Sequence, residues 1–397
     1  MEINYMIKSE TLLKLKGEIS KGVTLIKKCI EEKKPILIRH HSDADGFCAG
    51  LALERAILPL IHETHTRERE AWFSYSRKPN MAPYYSYDDA NKDLSYFLSE
   101  KGNYEYKKPL VILLDNGSSD EDVLALKKLK IYDVKTIVID HHPISKNTEG
   151  LMDIHINPHS LGNDYDFSAG MLCAEMAKIL NPKTEGCAFI AAVSAYADKV
   201  RSIEKEDYVK LCLKEGYTES FLKTFAEALD FEASSLGYCD SRQLMDDFFG
   251  RDKEKQKEII AMLKEVVLKK KNDALISAKK YSHISRMERM NLVIIPMAAI
   301  SFRGEFPHFG KIVGMMHDFV AESEKKPTVS IGLSDSMITF RGTPDSTLDT
   351  AKIITSLKHK FPHAQVQGGG HAKAGSVKFI PAAYEEIKEF VLQKIRE

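Results

Sequence analysis

Short, nearly continuous apolar runs alternate with amphipathic stretches along the first half of the chain. Three of these runs, PILIRHH, PLVILLD and VKTIVID, occupy residues 35–41, 109–115 and 134–140. Continuous apolar runs of this length are typical of parallel strands that are covered on both faces. Residues 8–32 and 119–130 have helical periodicity instead. The alternation of strands and helices predicts a doubly wound α/β domain.

The pattern changes after residue 202. Long helical runs continue to residue 290, and the clearest of them is KEKQKEIIAMLKEVVLKKK. Four strand-like runs then follow, at residues 290–299, 311–322, 328–335 and 337–342. After them come a helical run at 348–360 and the glycine-rich turn GGGHAKAGS at 368–376. We therefore predict an α/β domain over residues 1–202, a helical connector over 203–290 and a smaller α/β domain over 291–397. The polar and aromatic residues 66–108 are interpreted as an insertion between two strands.

Charge and composition limit the classes of protein and of binding site that fit the sequence. The chain has 397 residues, and 57 basic residues balance 57 acidic ones, so its global charge does not indicate nucleic acid. A polyanion site would then be a local patch or be made by bound metal. None of the six cysteines forms a CxxC pair, which favours reduced, buried thiols over a zinc ribbon or a thioredoxin motif. Because the chain has no apolar signal core and no run of about 18 apolar residues, we expect a soluble, cytoplasmic protein.

Acidic and histidine side chains follow each of the three strands in the first domain. Ligands of open parallel sheets bind outside the carboxyl ends of the strands, so these side chains are expected to converge there. Carboxylates held that close repel one another, and a divalent cation relieves the repulsion. Mixed aspartate and histidine ligands without a thiolate suit Mn²⁺, Zn²⁺ or Fe²⁺, and suit Mg²⁺ less well. A lone aspartate at a strand end usually caps a helix, but the set predicts a two-metal hydrolase site, with the members Asp43, Asp45, Asp115, Asp140, His141 and His142.

The order of these motifs resembles that of the DHH phosphoesterase superfamily. The matching stretches are DADG at 43–46, Asp115 in LLDNG, DHH at 140–142, and Asp198 after a helix of small residues. The distal GGGH resembles the signature of the DHHA1 substrate domain, so the matches span residues 34–378. The resemblance implies an N-terminal doubly wound, parallel-sheet DHH domain, a helical connector and a smaller C-terminal α/β DHHA1-like domain.

The resemblance also implies a role for each residue of the first domain. Asp115 would bridge two ions, Asp140 would orient the site from outside the ligand set, and His142 would face the scissile phosphate. The remaining ligands would be His41 and Asp43 for one ion, and Asp45, His141 and Asp198 for the other.

The identity of the first histidine ligand is open from the sequence. Several branches of the superfamily carry it four residues before the first aspartate, and Arg39 occupies that position here. His40 and His41 are both candidates, and we favour His41.

The second domain carries the predicted substrate groups. Glycines allow backbone N–H groups to approach an anion, and neighbouring donors add charge, although a plain turn is the alternative. The resemblance implies that Arg341 binds a nucleic-acid phosphate, and a guanidinium does so with two hydrogen bonds. The other predicted substrate-binding residues are Gly368, Gly369, Gly370, His371 and Lys373. Three tyrosines of the insertion could stack on bases or simply pack on the domain, namely Tyr84, Tyr85 and Tyr87.

The resemblance to archaeal RecJ-like members implies an exonuclease that releases mononucleotides from single-stranded DNA or RNA. It would use two Mn²⁺ ions, with Mg²⁺ or Co²⁺ as substitutes, and act in DNA repair. We expect no OB domain like that of bacterial RecJ, so the 5′→3′ polarity of that enzyme is not assumed. The compact archaeal members of the family include 3′→5′ enzymes, and we favour that polarity. A replication or repair partner resembling GINS or the Hef helicase, or a homodimer, would fit this interpretation.

Two alternatives share the same motifs. One is an oligoribonuclease or cyclic-dinucleotide phosphodiesterase, which differs only in the length of substrate it accepts. The other is a non-catalytic DHH subunit, which would be free to lose metal ligands. Since every expected ligand position is filled, apart from the ambiguity at Arg39, the sequence favours an enzyme.

Overall fold

The computed structural model of this chain divides into two compact units. The first covers residues 1–264 and the second residues 265–397. The structure describes residues 3–80, 82, 84–99, 107–162, 166–235, 242–250, 252–302 and 304–396. The division falls inside a single long helix, so the predicted three-part division at 202/203 and 290/291 stays a prediction.

A parallel sheet forms the centre of the first unit. Over the described residues it has five strands in the order β2-β1-β3-β4-β5, and every neighbouring pair is parallel. The strands are β1 (Ile36–His40), β2 (Tyr75–Pro79), β3 (Leu110–Leu114), β4 (Lys135–Ile139) and β5 (Ile154–Ile156). Three of them, β1, β3 and β4, coincide with the apolar runs, and all residues of β1 and β3 are buried.

Helices cover both faces of this sheet. Alternate strand residues such as Ile38 and Ile112 belong to one apolar core, whereas Leu37 and Val111 belong to another. Since successive side chains of a strand point to opposite faces, two cores mean a sheet covered on both sides. The doubly wound fold predicted from the sequence is therefore confirmed. The helices that begin in this unit are α1 (Glu10–Glu31), α2 (Ala44–Thr64), α3 (Glu68–Phe73), α4 (Tyr87–Ser99), α5 (Val123–Ile131), α6 (Ala169–Leu180), α7 (Cys187–Ala197), α8 (Ile203–Lys214), α9 (Glu219–Ser235), α10 (Arg242–Phe249) and α11 (Lys253–Tyr281).

The second unit is a smaller mixed sheet with helices. Its described strands lie in the order β10-β11-β9-β8-β7-β6, and β7 and β8 are its parallel pair. The strands are β6 (His283–Arg286), β7 (Asn291–Pro296), β8 (Thr328–Leu333), β9 (Met337–Gly342), β10 (Gln367–His371) and β11 (Ala374–Lys378). Its further helices are α12 (Phe309–Glu324), α13 (Thr350–Lys360) and α14 (Tyr384–Arg396).

The prediction of a strand at 311–322 was wrong, because these residues belong to α12. Ile312, Val313, Met316 and Val320 are all buried. Their spacing follows the helical period of 3.6 residues and places them on one face. The apolar content of KIVGMMHDFVAE concealed that periodicity.

Two further segments differ from expectation. The insertion over 66–108 contains the edge strand β2, which extends the parallel sheet beside β1. The glycine-rich turn over 368–376 is a hairpin, in which β10 and β11 pair antiparallel and leave only two residues between them. Among the described helices, none is long and apolar enough to cross a membrane.

Candidate metal centre

The DADG motif follows β1 and begins α2. Asp43 is the N-cap of this helix, and its Oδ1 accepts a hydrogen bond from the backbone N–H of Gly46 at 2.9 Å. Gly46 lies so near the preceding loop that a Cβ there would be 2.2 Å from the carbonyl oxygen of His41. The motif therefore combines a capping aspartate with a glycine that permits close backbone approach.

The two adjacent histidines at this strand end have different surroundings. Nδ1 of His41 lies 2.9 Å from Asp43 Oδ2 and 3.3 Å from Asp115 Oδ2, so this ring is within the acidic cluster. The ring of His40 is fully buried, and its Nδ1 is 2.7 Å from the carbonyl oxygen of His41. Arg39, the third residue in question, forms a buried two-pronged ion pair with Asp93. The structure thus brings His41, but neither Arg39 nor His40, to the cluster.

Asp115 occupies the centre of the cluster. It follows β3 with φ 57°, a left-handed conformation that aspartate tolerates better than most residues. Besides the contact with His41, its Oδ1 is 3.1 Å from His141 Nε2 and 3.7 Å from His142 Nδ1. Asp115 thus lies near side chains that follow β1 and side chains that follow β4, the position expected of a bridging carboxylate.

Asp140 stabilises the turn formed by residues 140–142 after β4 through its side-chain hydrogen bonds. Its fully buried Oδ1 accepts hydrogen bonds from the backbone N–H groups of His141 (2.8 Å) and His142 (3.3 Å), and lies 2.8 Å from His142 Nδ1. Asn157, buried in the INPHS segment, donates to the carbonyl oxygen of His142 at 2.9 Å. Nothing in the sequence pattern assigned a role to Asn157, and its place after the short strand β5 was the available signal.

Asp45 is fixed by the N-terminal end of α6. Its two carboxylate oxygens accept from the backbone N–H groups of Ala169 (3.0 Å) and Gly170 (2.9 Å), and Ser194 on α7 donates a further hydrogen bond to it. Ser194 was missed from the sequence because it is one small residue among many in that helix. Asp198, at the end of the same helix, lies 3.2 Å from Nε2 of His141.

Three groups of side chains in the described chain place their potential ligand atoms within 4.8 Å of one another. Asp115 belongs to two of the groups, and so does His141. The groups are His41, Asp43 and Asp115; Asp45, His141 and Asp198; and Asp115, His141 and His142. All six predicted metal ligands are therefore together at the carboxyl ends of the strands.

The charges of this cluster are unbalanced without a cation. Burial and the charges of Asp115 and Asp198 raise the pKa of Asp45 well above its ordinary value. Burial alone would lower the pKa of His141, but the surrounding carboxylates, with Asp198 the strongest, raise it well above its ordinary value. A divalent cation would relieve the same carboxylate repulsion that raises these two pKa values. The donor set fits hard or borderline divalent ions.

Two of the predicted glycines in the second unit have a structural explanation. A Cβ on Gly368 would lie 2.3 Å from the backbone of Ser376, and one on Gly370 would lie 2.4 Å from Ala374, so close strand pairing requires glycine at both. Gly369 has open space at the corresponding position.

The cationic residues predicted to bind substrate in this unit have different surroundings. Nζ of Lys373 donates to the carbonyl oxygens of Ser346 (2.6 Å) and Leu348 (2.8 Å), which ties its charge to a loop. Arg341 is half-buried on β9, opposite Ala374 of β11. His371 ends β10, and its side chain lies outside the described part of the chain.

The tyrosines of the insertion do not form one surface. Tyr85 is fully buried, and its hydroxyl donates to Asp93 at 2.9 Å. Tyr87 is exposed at the start of α4, beside Lys128. Tyr85 therefore packs within the domain, which is the alternative to base stacking.

Comparison with known proteins identifies the family. A family model described as the DHH family, N-terminal domain, matches residues 35–208. The solved DHH domain of a member of a family of ribosomal proteins is 30% identical, with a TM-score of 0.93 over 100% of this chain and 94% of that one. This chain belongs to the DHH superfamily. The resemblance stated from the motifs is thereby confirmed.

Two further proteins are similar to this DHH chain, one in fold and one in sequence. Manganese-bound RecJ of Thermus thermophilus has a TM-score of 0.63 at 16% identity over 96% of this chain and 55% of that one, so the two share a fold. An uncharacterized protein of Methanocaldococcus jannaschii is 32% identical over 421 residues, covering 97% of this chain. This chain spans only 54% of the length of that curated relative.

Proposed function

We propose that this DHH chain is a metal-dependent phosphodiesterase, and more narrowly a RecJ-like exonuclease that releases mononucleotides from single-stranded DNA or RNA. The observation that carries the proposal is the set of three potential ligand groups, in which Asp115 and His141 each belong to two. A shared carboxylate is what two adjacent ions require, and two-ion sites are typical of nucleases and phosphatases. Membership of a phosphoesterase superfamily supports the same chemistry.

The chain's own residues would bind two divalent ions, for which we favour Mn²⁺, with Mg²⁺ or Co²⁺ as substitutes. One ion would be held by His41 and Asp43, and Asp115 would be shared between the two. The second would be held by Asp45, His141 and Asp198. When bound, such ions lower the pKa of water and offset the charge on phosphoryl oxygens.

His142 is proposed to donate a hydrogen bond to the scissile phosphoryl group. Asp140 contacts its Nδ1, and we assign the contact with the substrate to Nε2. About 36% of the His142 side chain is exposed, whereas that of Asp140 is buried. Burial would raise the pKa of Asp140, but the charge and hydrogen bond of His142 outweigh it and hold that pKa below its ordinary range. The carboxylate therefore favours a protonated His142, which can stabilise developing negative charge.

The second unit is proposed to bind the nucleic-acid backbone. Arg341 offers a guanidinium suited to phosphate, and Gly369 leaves room for close approach of a ligand to the backbone. His371 and Lys373 complete the set proposed from the motif. A 3′→5′ direction, a replication or repair partner and a homodimer belong to the same proposal.

The test is digestion of one single-stranded oligonucleotide, made as DNA and as RNA and labelled at its 5′ end, with purified protein and Mn²⁺. A descending ladder on a denaturing gel would support 3′→5′ trimming, and the preferred sugar would show directly. Immediate release of labelled mononucleotide would instead mean 5′→3′ attack.

Two controls make the result specific. EDTA and the variant Asp115→Ala should each remove cleavage, while the far-ultraviolet circular dichroism of the variant should remain that of the parent. Cleavage of dinucleotides but not of long strands would replace the exonuclease by a small-substrate phosphodiesterase. Full activity of Asp115→Ala would refute a catalytic role for this centre.

A further inference from the structure

The buried guanidinium of Arg77 contacts His40, the residue that precedes the proposed metal ligand His41. Arg77 is on β2, opposite Ile38 of β1, so its side chain emerges on the same face of the sheet as that of His40 two residues later. Glu54 of α2 covers this face and accepts from Arg77 Nε at 3.0 Å. Arg77 is 2% exposed, Glu54 8% and His40 0%. Arginine is rarely buried this deeply unless it is paired, so the contacts of Arg77 indicate a specific role.

The contacts of Arg77 determine where the proton of His40 resides. Arg77 Nη1 is 3.3 Å from His40 Nε2, and a guanidinium has no acceptor atom, so Nε2 must accept. A neutral imidazole that accepts through Nε2 carries its proton on Nδ1. That Nδ1 lies 2.7 Å from the carbonyl oxygen of His41, to which it therefore donates.

The surrounding packing fixes the plane of the His40 ring. A Cβ on Gly50 would lie 2.9 Å from His40 Cδ2 and 3.0 Å from Arg77 Cδ, so both side chains already fill the space against α2. The ring of Phe47 packs edge-on against the imidazole, with centroids 4.8 Å apart. Within that plane, the contacts of Nδ1 with the His41 carbonyl oxygen and of Nε2 with Arg77 select one orientation and one tautomer.

We infer that Arg77 is a positioning residue for the ligands of the first ion. By fixing the tautomer of His40, it holds the carbonyl group of His41 and with it the ring that lies between Asp43 and Asp115. The inference rests on the proposed two-metal function and adds a residue to it. Groups that orient metal ligands by hydrogen bonds typically change metal affinity about 10–100-fold when removed.

The decisive comparison is between two substitutions at one position. In His40→Asn, the amide nitrogen takes the place of Nδ1 and can still donate to the His41 carbonyl. In His40→Gln, the amide reaches the place of Nε2, keeps the contact with Arg77 and loses that donation. A third variant, Arg77→Met combined with Glu54→Gln, removes the cation without leaving a buried unpaired carboxylate.

Binding of Mn²⁺ would be measured by isothermal titration calorimetry, with each variant also made in an Asp198→Asn background to isolate the first ion. We expect His40→Gln and the double variant to weaken the first ion about 10–100-fold, and His40→Asn to remain within about 3-fold of the parent. Without the Asp198→Asn change, affinity for the second ion should be unaltered in all three variants.

The outcomes separate this inference from the proposed function. Two-ion binding by the parent with unchanged affinity in His40→Gln and in the double variant would overturn only the role of Arg77. Equal losses in His40→Asn and His40→Gln would also overturn it, because general loss of packing would then suffice. A parent protein that binds no Mn²⁺ would overturn both proposals.

Discussion

Glutamine in place of Glu175 is expected to stabilise the first unit above pH 7. Glu175 is fully buried on α6, where its oxygens accept from the backbone N–H of Met6 (2.9 Å) and from the hydroxyl of Tyr208 (2.7 Å). Burial raises its pKa from an ordinary 4.5 to about 7, although these hydrogen bonds act in the opposite direction. The carboxylate tethers the N-terminal segment, but it is costly to ionise in the folded chain.

The sign and size of the effect follow from this difference in pKa. Below about pH 4.5, Glu175 is protonated in both the folded and the unfolded chain, and it has no pH-dependent cost. Between pH 4.5 and about 7 the folded chain binds more protons, so stability falls as pH rises. Above pH 7 the cost is complete and amounts to about 3 kcal/mol. Since the glutamine amide does not ionise, Glu175→Gln removes that cost.

Urea denaturation followed by the fluorescence of Trp72 measures this effect. Trp72 is the one tryptophan of the chain and lies on α3 of the same unit as Glu175. We expect the free energy of unfolding of Glu175→Gln to exceed that of the parent by up to about 3 kcal/mol at about pH 8, and the difference to vanish near pH 4.5.

Glu10→Gln provides the matched control. Lys14 holds the pKa of this fully exposed carboxyl below its ordinary value. Replacing the Glu10 carboxyl should therefore change the free energy of unfolding slightly, and in the direction opposite to that of Glu175→Gln. A difference between Glu175→Gln and the parent that does not change with pH would refute the assignment of a raised pKa to Glu175.

Three further predictions concern a buried ion pair of the first unit and the metal centre. Arg39→Met should lower the free energy of unfolding by about 3–5 kcal/mol in urea titrations, because it leaves the carboxylate of Asp93 buried without its cation. Gly46→Ala should weaken Mn²⁺ binding about 10-fold or more in calorimetry, since a Cβ would displace the His41 carbonyl group; unchanged affinity would contradict the close approach. Adding Mn²⁺ at about 100 times its dissociation constant to EDTA-treated protein should raise the unfolding free energy by about 2.7 kcal/mol per bound ion, and Asp115→Ala should lose this gain.

The strands that carry the site could be predicted because each is buried on both faces. Such strands have continuous apolar sequences, and the polar residues that follow them stand out. The convergence of Asp43, Asp115 and His141 then follows from parallel topology alone. Ser194 contacts Asp45, which is distant in the sequence, and had no comparable signal, whereas Asn157 was marked only by its place directly after β5.

Other elements could not be predicted for physical reasons. The strand β2 has a buried arginine, Arg77, which neither apolar runs nor alternation would suggest. The helix α12 has enough β-branched and large apolar residues to resemble a strand over a short window. The pair His40 and His41 was ambiguous because both follow the same apolar run, and only the backbone turn after β1 separates their directions.

The two-metal centre is tested most directly by an anomalous difference map from crystals of this DHH chain grown with Mn²⁺. We expect two peaks about 3.5–4 Å apart, with Asp115 between them. One peak should adjoin His41 and Asp43, and the other should adjoin Asp45 and His141. A single peak away from Asp115, or none at saturating Mn²⁺, would contradict the two-metal centre.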